Sequence, residues 1–209
     1  MKADRIETVI LANGPFPEHP VPLSLLQSAG RILCCDGAAD RLVEHGLEPW
    51  RVIGDLDSLS EEGRGRFAGK LVHVDEQETN DLSKAFRFAC SHGWRRLHIV
   101  GATGGRDDHT LANLSLLADF ASSAEVRLYT DTGLFTPCLR STVFASYPGQ
   151  QVSLFSFEPG IRLYGEGLVY PLDQVPFTRW WQAALNEASG HEFKLTFVGG
   201  PLLVFQAYG

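Results

Sequence analysis

Two aspartates separated by a single leucine, in Val52-Ile53-Gly54-Asp55-Leu56-Asp57-Ser58, are the side chains of this chain best suited to chemistry. The stretch reads as the end of a buried strand opening into a loop. In extended backbone Asp55 and Asp57 project to one side, while Leu56 points the other way, toward the core. Two acids held together repel unless a cation, a shared proton or solvent separates them. Mg²⁺ suits such a pair, because it takes oxygen ligands and keeps positions open for substrate phosphates. The same residues also suit a solvated loop in which Asp57 or Ser58 caps the next helix.

Gly101-Ala102-Thr103-Gly104-Gly105-Arg106-Asp107-Asp108-His109 is the second such stretch. Its glycines let backbone approach a bound group closely, the following helix offers N–H groups to an anion, and Arg106 adds a forked donor for phosphate oxygens. A plain strand-to-helix turn with Asp107 as a cap is the alternative. Asp81 and Lys84, three apart on one helix, share a face. They read either as a surface ion pair or as a metal ligand with a phosphate contact. His109 and Asn113 share the polar side of their helix. No G-x-x-x-x-G-K-[ST] occurs, and no G-x-G-x-x-G follows the first strand, which disfavours the standard nucleotide loops.

These residues need elements to carry them. Strands are expected over Arg5 to Ala12, Arg31 to Cys35, Trp50 to Ile53, Leu71 to Val74, Arg96 to Val100 and Glu125 to Thr130. Between them come helices over Leu23 to Ala29, Ala38 to His45, Glu61 to Phe67, Asn80 to His92 and Thr110 to Ala121. Asn80 is the expected N-cap of its helix, with Leu82, Ala85, Phe86 and Ala89 on one face. Leu111, Leu114, Leu117 and Ala118 form the apolar side of the next. Such alternation predicts a mainly parallel sheet flanked by helices, with ligands outside the carboxyl ends of the strands. Asp36, Asp55, Asp57 and the Gly101–His109 loop all follow strands, so all can crowd one edge.

Beyond a boundary near Thr132 the pattern changes. Short strands are expected over Gly133 to Tyr147, Gln151 to Phe157, Ile161 to Tyr164, Gly167 to Tyr170, Phe193 to Val198 and Leu202 to Ala207, separated by Pro-Gly, Ser-Gly and Gly-Gly-Pro turns. They predict a small C-terminal β-sandwich. The fold class is therefore α/β plus all-β, with domains over 1–132 and 133–209. A net charge of −7 argues against a nucleic-acid surface. No apolar run approaches a membrane span, and Asp4 and Glu7 interrupt any leader pattern, so a cytoplasmic location is expected. None of Cys34, Cys35, Cys90 and Cys138 has zinc-ligand spacing, and Cys34-Cys35 read as reduced core residues.

In that order the motifs resemble the thiamine pyrophosphokinase family. Cys35-Asp36-Gly37-Ala38-Ala39-Asp40-Arg41-Leu42, Ile53-Gly54-Asp55-Leu56-Asp57-Ser58, Gln77 with Asn80-Asp81-Leu82-Ser83-Lys84-Ala85, Gly104-Gly105-Arg106-Asp107-Asp108-His109 with Asn113, and Gly167-Leu168-Val169-Tyr170-Pro171-Leu172 each match a family segment. The resemblance implies an ATP-binding α/β domain, a β-sandwich, and a homodimer with thiamine bound between protomers. It implies pyrophosphoryl transfer from ATP to thiamine with Mg²⁺, releasing AMP. It also implies catalytic roles for Asp55, Asp57, Asp81 and Asp108, and metal ligation by Asp36, Asp55, Asp57 and Asp81. ATP contacts then fall to Asn13, Asp36, Gln77, Lys84, Gly104, Gly105, Arg106, His109 and Asn113. Ala38 stands where the family has a second glycine, Asn80 where it has threonine, and Leu185 where it has a serine beside Asn186. Val204 falls where animal members carry a tryptophan. Asn186, Trp180 and Trp181 are the candidates for thiamine, the tryptophans either as faces for its cationic ring or as core or dimer contacts. Two alternatives stay open: a pyrophosphokinase acting on a hydroxymethylpterin, and a non-catalytic thiamine or nucleotide sensor.

Overall fold

The computed structural model describes residues 7–209, so Arg5 and Ile6 of the first expected strand lie outside the described residues. The chain groups into two compact units: residues up to Leu116 with Ser123–Asp131, and Leu117–Ser122 with Thr132–Gly209.

The first unit alternates β1 (Thr8–Leu11), α1 (Pro20–Ser28), β2 (Arg31–Cys35), α2 (Ala38–Glu44), β3 (Arg51–Gly54), α3 (Glu61–Arg66), β4 (Leu71–His73), α4 (Asp81–Ser91), β5 (Arg96–Val100), α5 (Asp107–Ala121, grouped with the second unit from Leu117 on) and β6 (Glu125–Tyr129). Its strands lie in the order β6-β5-β1-β2-β3-β4, every pairing parallel. The apolar runs TVIL, ILCC and LHIV explain this, because a strand covered on both faces must be apolar on both. Ile10, Leu33 and Ile99 have no exposed surface. The chain runs from β1 outward to β2, β3 and β4, then returns to lay β5 on the other side of β1. Strand order thus reverses between β1 and β5, and their carboxyl ends diverge there into a crevice.

Element boundaries differ from expectation where a breaker was tolerated. Helix α1 starts at Pro20, three residues before the expected Leu23, because proline at a first helical position gives up an N–H that has no partner anyway. The His19 ring accepts from the Val21 N–H to cap it. Helix α5 starts at Asp107 rather than Thr110; Asp107 and Asp108 fill its first turn, where acids suit the helix dipole. Asn80 caps α4 as expected, accepting from the Ser83 N–H at 3.0 Å, and Leu82, Ala85, Phe86 and Ala89 are buried. Leu111, expected on the apolar side of α5, is 52% exposed, whereas the polar Asn113 is buried.

The second unit is antiparallel throughout. It contains β7 (Gly133–Cys138), β8 (Thr142–Ala145), β9 (Gln151–Phe155), β10 (Arg162–Glu166), β11 (Leu172–Pro176), β12 (Ala183–Glu187), β13 (Glu192–Val198) and β14 (Leu202–Ala207). They form the runs β12-β9-β14-β7 and β11-β10-β13-β8. One core of Val152, Leu154, Leu202 and Val204 from the first run and Phe144, Leu163, Phe193 and Leu195 from the second joins them as a sandwich. Strand β13 alternates cleanly, with Phe193, Leu195 and Phe197 inward and Glu192, Lys194, Thr196 and Val198 outward.

Three expectations here are corrected. The single strand over Gly133 to Tyr147 is two, β7 and β8, because the chain turns at Leu139–Ser141. Gly167 to Tyr170 is a connection; only Leu168 makes an isolated bridge, to Ala188. Strands β11 and β12 were not anticipated. In β12 the register shifts between Ala183 and Asn186, and Leu185 takes a left-handed conformation with φ of 60°, a bulge that breaks the alternation a reader looks for.

Leu195 is fully buried at the centre of the sandwich. Leu195→Ala is expected to destabilise the protein by about 3 kcal/mol, read as a lowered urea midpoint with an unchanged m-value.

Candidate active site

Each acid is placed by the strand before it. Strand β2 runs into Asp36 and β3 into Asp55 and Asp57; the three carboxylates each bring one oxygen to within 4.8 Å of the others. They do not converge as extended backbone would bring them. Leu56, between two of the acids, is left-handed with φ of 66°, and Asp36 is left-handed with φ of 45°. An aspartate tolerates this region, but for leucine it costs about 1–2 kcal/mol. The turn at Leu56 folds the loop back so that the Asp57 N–H donates to Asp55 Oδ1 at 3.3 Å, while the Leu56 side chain is buried. The expectation of an extended pair is therefore corrected: a left-handed turn brings these acids together.

Asp36 is wholly buried. Its Oδ2 accepts from the Ser58 N–H at 2.9 Å, and its Oδ1 is buried with no hydrogen-bond partner. Burial pushes the Asp36 carboxyl above the ordinary range, and the nearby Asp81 and Asp57 add to the push against the Ser58 hydrogen bond. Asp81 opens α4. A methyl group on Gly54 would sit 3.0 Å from Asp81 Oδ1 and 3.1 Å from Asp36 Cβ, so glycine there lets the two acids flank one strand end. Asp81 is also raised, by burial first, with Lys84 holding it back through a 3.0 Å hydrogen bond. Lys84 is itself buried; desolvation works to lower its pKa, but Asp81 and Asp55 outweigh it and raise it. Asp55 goes the other way, lowered chiefly by the Gln77 amide, which donates to its Oδ2 at 3.2 Å, and by the Asp57 N–H.

Beside the acids, between the ends of β1 and β5, opens a cleft of about 480 Å³. Asn13, Gly14, Arg41, Ser58, Asp81, Gly105, Arg106, His109 and Asn113 are among the residues that line it. Gly14 closes against Gly101, its N–H on the Gly101 carbonyl at 2.9 Å; a side chain at Gly14 would strike that carbonyl. Asn113 donates to the Ala102 carbonyl at 2.9 Å and accepts from Asn80 at 3.0 Å, so it braces the glycine loop from below. Gly104 is left-handed with φ of 84°.

Of the residues expected in the site, Asn13, Asp36, Asp55, Asp57, Gln77, Asp81, Lys84, Gly105, Arg106, His109 and Asn113 belong to the acid group or the cleft. Asp108 lies apart from the three-carboxylate group. It is exposed and clasps Arg106, at 3.1 Å to Nε and 2.6 Å to Nη2, and this pairing lowers it to about 2. Asn186 lies in the second unit, where its buried amide accepts from the Tyr170 N–H and donates to the Tyr170 carbonyl, which fixes the preceding connection. Within the second unit Trp180 and Trp181 are half-exposed beside a cleft of about 360 Å³ lined also by Phe157, Phe177 and Arg179, and Trp180 stacks on Phe157 at 5.9 Å.

Several supporting residues carried no expectation. Arg41 donates to Asn13 Oδ1. Asp40 accepts from both the N–H and the hydroxyl of Ser60 at 2.9 Å. Arg64 donates to the Leu56 and Leu59 carbonyls. Glu76 gathers the Glu78 and Thr79 N–H groups, the Thr79 hydroxyl and Arg87, which hold it at a pKa of about 2 and shape the turn that presents Gln77. A bare sequence signals little of this, since each contact spans a turn whose conformation spacing does not reveal.

Family models match residues 23–130, described as the thiamin pyrophosphokinase catalytic domain, and residues 133–205, described as the thiamin pyrophosphokinase substrate-binding domain. A thiamine pyrophosphokinase of Bacillus subtilis (strain 168) is 38% identical over 80 residues, 36% of this chain and 37% of that protein. Thiamine pyrophosphokinase 1 of Oryza sativa subsp. japonica is 28% identical over 152 residues, 61% of this chain and 57% of that protein. The matched stretches thus span less than two thirds of these curated relatives. Among solved structures, the B. subtilis thiamine pyrophosphokinase superposes with a TM-score of 0.82 at 24% identity, covering 96% of this chain and 98% of that one. A Candida albicans thiamin pyrophosphokinase gives 0.82 at 16%, covering 97% and 90%. These likenesses show the fold.

Two outcomes follow from the acid geometry. Gly54→Ala must push Asp81 and Asp36 apart, and is expected to destabilise the protein by about 1–3 kcal/mol in a denaturant titration. For Asp36, whose folded pKa lies above its unfolded value of about 4, the folded state holds more protons between the two. Stability therefore falls as pH rises through that window and stays lost above it. Asp36→Asn keeps an acceptor for Ser58 without the charge. The metal-free variant is expected to melt above the parent near pH 7, with the difference closing toward about pH 4; a lower Tm near neutrality would contradict the assignment.

Proposed function

The chain belongs to the thiamin pyrophosphokinase family, and on that footing we propose that it transfers the pyrophosphoryl group of ATP to the hydroxyl of thiamine, giving thiamine diphosphate and AMP, with Mg²⁺ as cofactor. The observation that carries this reading is the meeting of Asp36, Asp55 and Asp57 oxygens within 4.8 Å of one another, beside a glycine-walled cleft with Arg106 on its rim. The donor set suits Mg²⁺: it is all carboxylate oxygen, and the buried Asp36 Oδ1 lacks any other partner. Asp36, Asp55 and Asp57 would hold the ion, with Asp81 adjacent. When bound, Mg²⁺ supplies charge neutralisation on phosphate oxygens.

The remaining work falls to the chain's own groups. The Gly101–Gly105 backbone and the first turn of α5 receive phosphate oxygens, and Arg106 offers its guanidinium once it leaves Asp108. Asn13, Gln77, Lys84, His109 and Asn113 orient ATP or the residues that touch it. In-line attack on the β-phosphorus needs positioning and charge neutralisation more than covalent chemistry. Asp81 lines the cleft with a raised pKa and is the best placed acceptor for the hydroxyl proton, whereas Asp55 is held ionised and is a poorer base. Residues 1–132 would form the ATP-binding domain and 133–209 the thiamine-binding and dimerisation domain of a cytoplasmic homodimer, with Trp180 and Trp181 as aromatic faces for thiamine. Among the described residues no helix is long and apolar enough to cross a membrane.

Purified protein with ATP, Mg²⁺ and thiamine is expected to release AMP, and Asp57→Asn to lose at least about 100-fold of that rate with its circular dichroism unchanged. Near-parental turnover in the variant would refute the role of Asp57. AMP release with a hydroxymethylpterin but not with thiamine would reassign the alcohol, and tight binding of either without AMP release would mark a sensor.

A further inference from the structure

The loop carrying Asp55 and Asp57 is held from α3 and α2 by residues that touch no acid of the cation group. Leu56 is left-handed with φ of 66°. Its carbonyl accepts from Arg64 Nη2, and the Arg64 Nε reaches the Leu59 carbonyl at 3.3 Å. One guanidinium thus ties both ends of the turn. Ser60, which ends it, is fixed by two 2.9 Å hydrogen bonds to the Asp40 carboxylate. Gly63, on α3, sits so close to that carboxylate that a methyl there would lie 2.3 Å from Asp40 Oδ1, so α2 and α3 meet across it without slack.

An unsupported leucine avoids the left-handed region. If Leu56 relaxed to an extended conformation, Asp55 and Asp57 would no longer share a point with Asp36. We propose that Arg64 is a positioning residue: by binding the Leu56 and Leu59 carbonyls it holds Leu56 left-handed and so keeps Asp55 and Asp57 within reach of Asp36 for a divalent cation. This rests on reading the three acids as a cation site. Arginine suits the task because its planar fork meets two carbonyls at once, which a lysine ammonium on a flexible stem does not reproduce.

The test uses Mn²⁺ as the probe, with its dissociation constant measured by calorimetry on the purified full chain, alongside the Mg²⁺ dependence of AMP release. Arg64→Ala is expected to weaken Mn²⁺ binding by about 10-fold or more, the range seen when groups that orient metal ligands are removed. The KM for Mg²⁺ should rise more than kcat falls. Adding Leu56→Gly should restore much of the affinity, because glycine adopts the left-handed turn without help, even though losing the buried leucine lowers Tm. A purely structural arginine would give the opposite pattern, in which the second substitution adds damage. Arg64→Lys, milder in its effect on folding, should fall between parent and Arg64→Ala. Parental Mn²⁺ affinity in Arg64→Ala or, should that variant not fold, in Arg64→Lys overturns the proposal, and so does a loss that Leu56→Gly fails to relieve. Failure of the cation-site reading looks different: the parent protein itself would bind Mn²⁺ no better than Asp57→Asn does.

Discussion

Like charges held closer than they would choose to sit are the constraint on which this site depends. Three carboxylates share a space a few ångströms wide, one of them with no exposed surface, and a fourth lies just behind a glycine. Nothing in the intrinsic behaviour of aspartate favours this. Repulsion and burial both raise the cost of the ionised form, and left-handed backbone at Leu56 adds strain. What offsets the cost is the sheet, whose buried strands fix where each loop begins, together with hydrogen bonds from Ser58, Gln77 and Lys84 that each answer one acid. A bound divalent cation would remove most of the remaining tension. Crowded carboxylates with shifted pKa values beside a cleft mark a candidate functional site.

Topology decides what lies next to the acids. Because β5 returns beside β1 after the chain has built outward to β4, the loops after β1 and β5 separate and leave a cleft. Gly14 and Gly101 allow those loops to touch at their base, and Asn113 with Asn80 props the glycine-rich wall. A cleft with glycine-rich walls and a guanidinium forms without either of the common nucleotide-binding loops. The candidate site is built from several short loops on one edge, each too weak a signal to identify it alone.

The parallel sheet and its helices were legible in the sequence because their signals are local and periodic. β2, β5 and β14 match their expected spans, and the apolar face of α4 follows its 3.6-residue repeat. The acids that gather were legible too, since each directly follows a strand. Their means of gathering was not: a left-handed leucine has no sequence signature, and Arg64 serves it from eight residues away. That Arg106 pairs with Asp108 is a contact the sequence does not show. The bulged strand likewise hides that the Asn186 amide bonds the Tyr170 backbone. In the sandwich, clean alternation in β13 could be read, whereas the bulge in β12 and the tight turn after β7 could not.

The most direct test of the account is a crystal structure of the protein grown with Mn²⁺ and a non-hydrolysable ATP analogue, read by the anomalous scattering of manganese. The account predicts a peak bounded by the carboxylates of Asp36, Asp55 and Asp57, with Leu56 still left-handed beneath it. A fully loaded crystal whose manganese lies elsewhere, or whose three acids face solvent with only water between them, would contradict it.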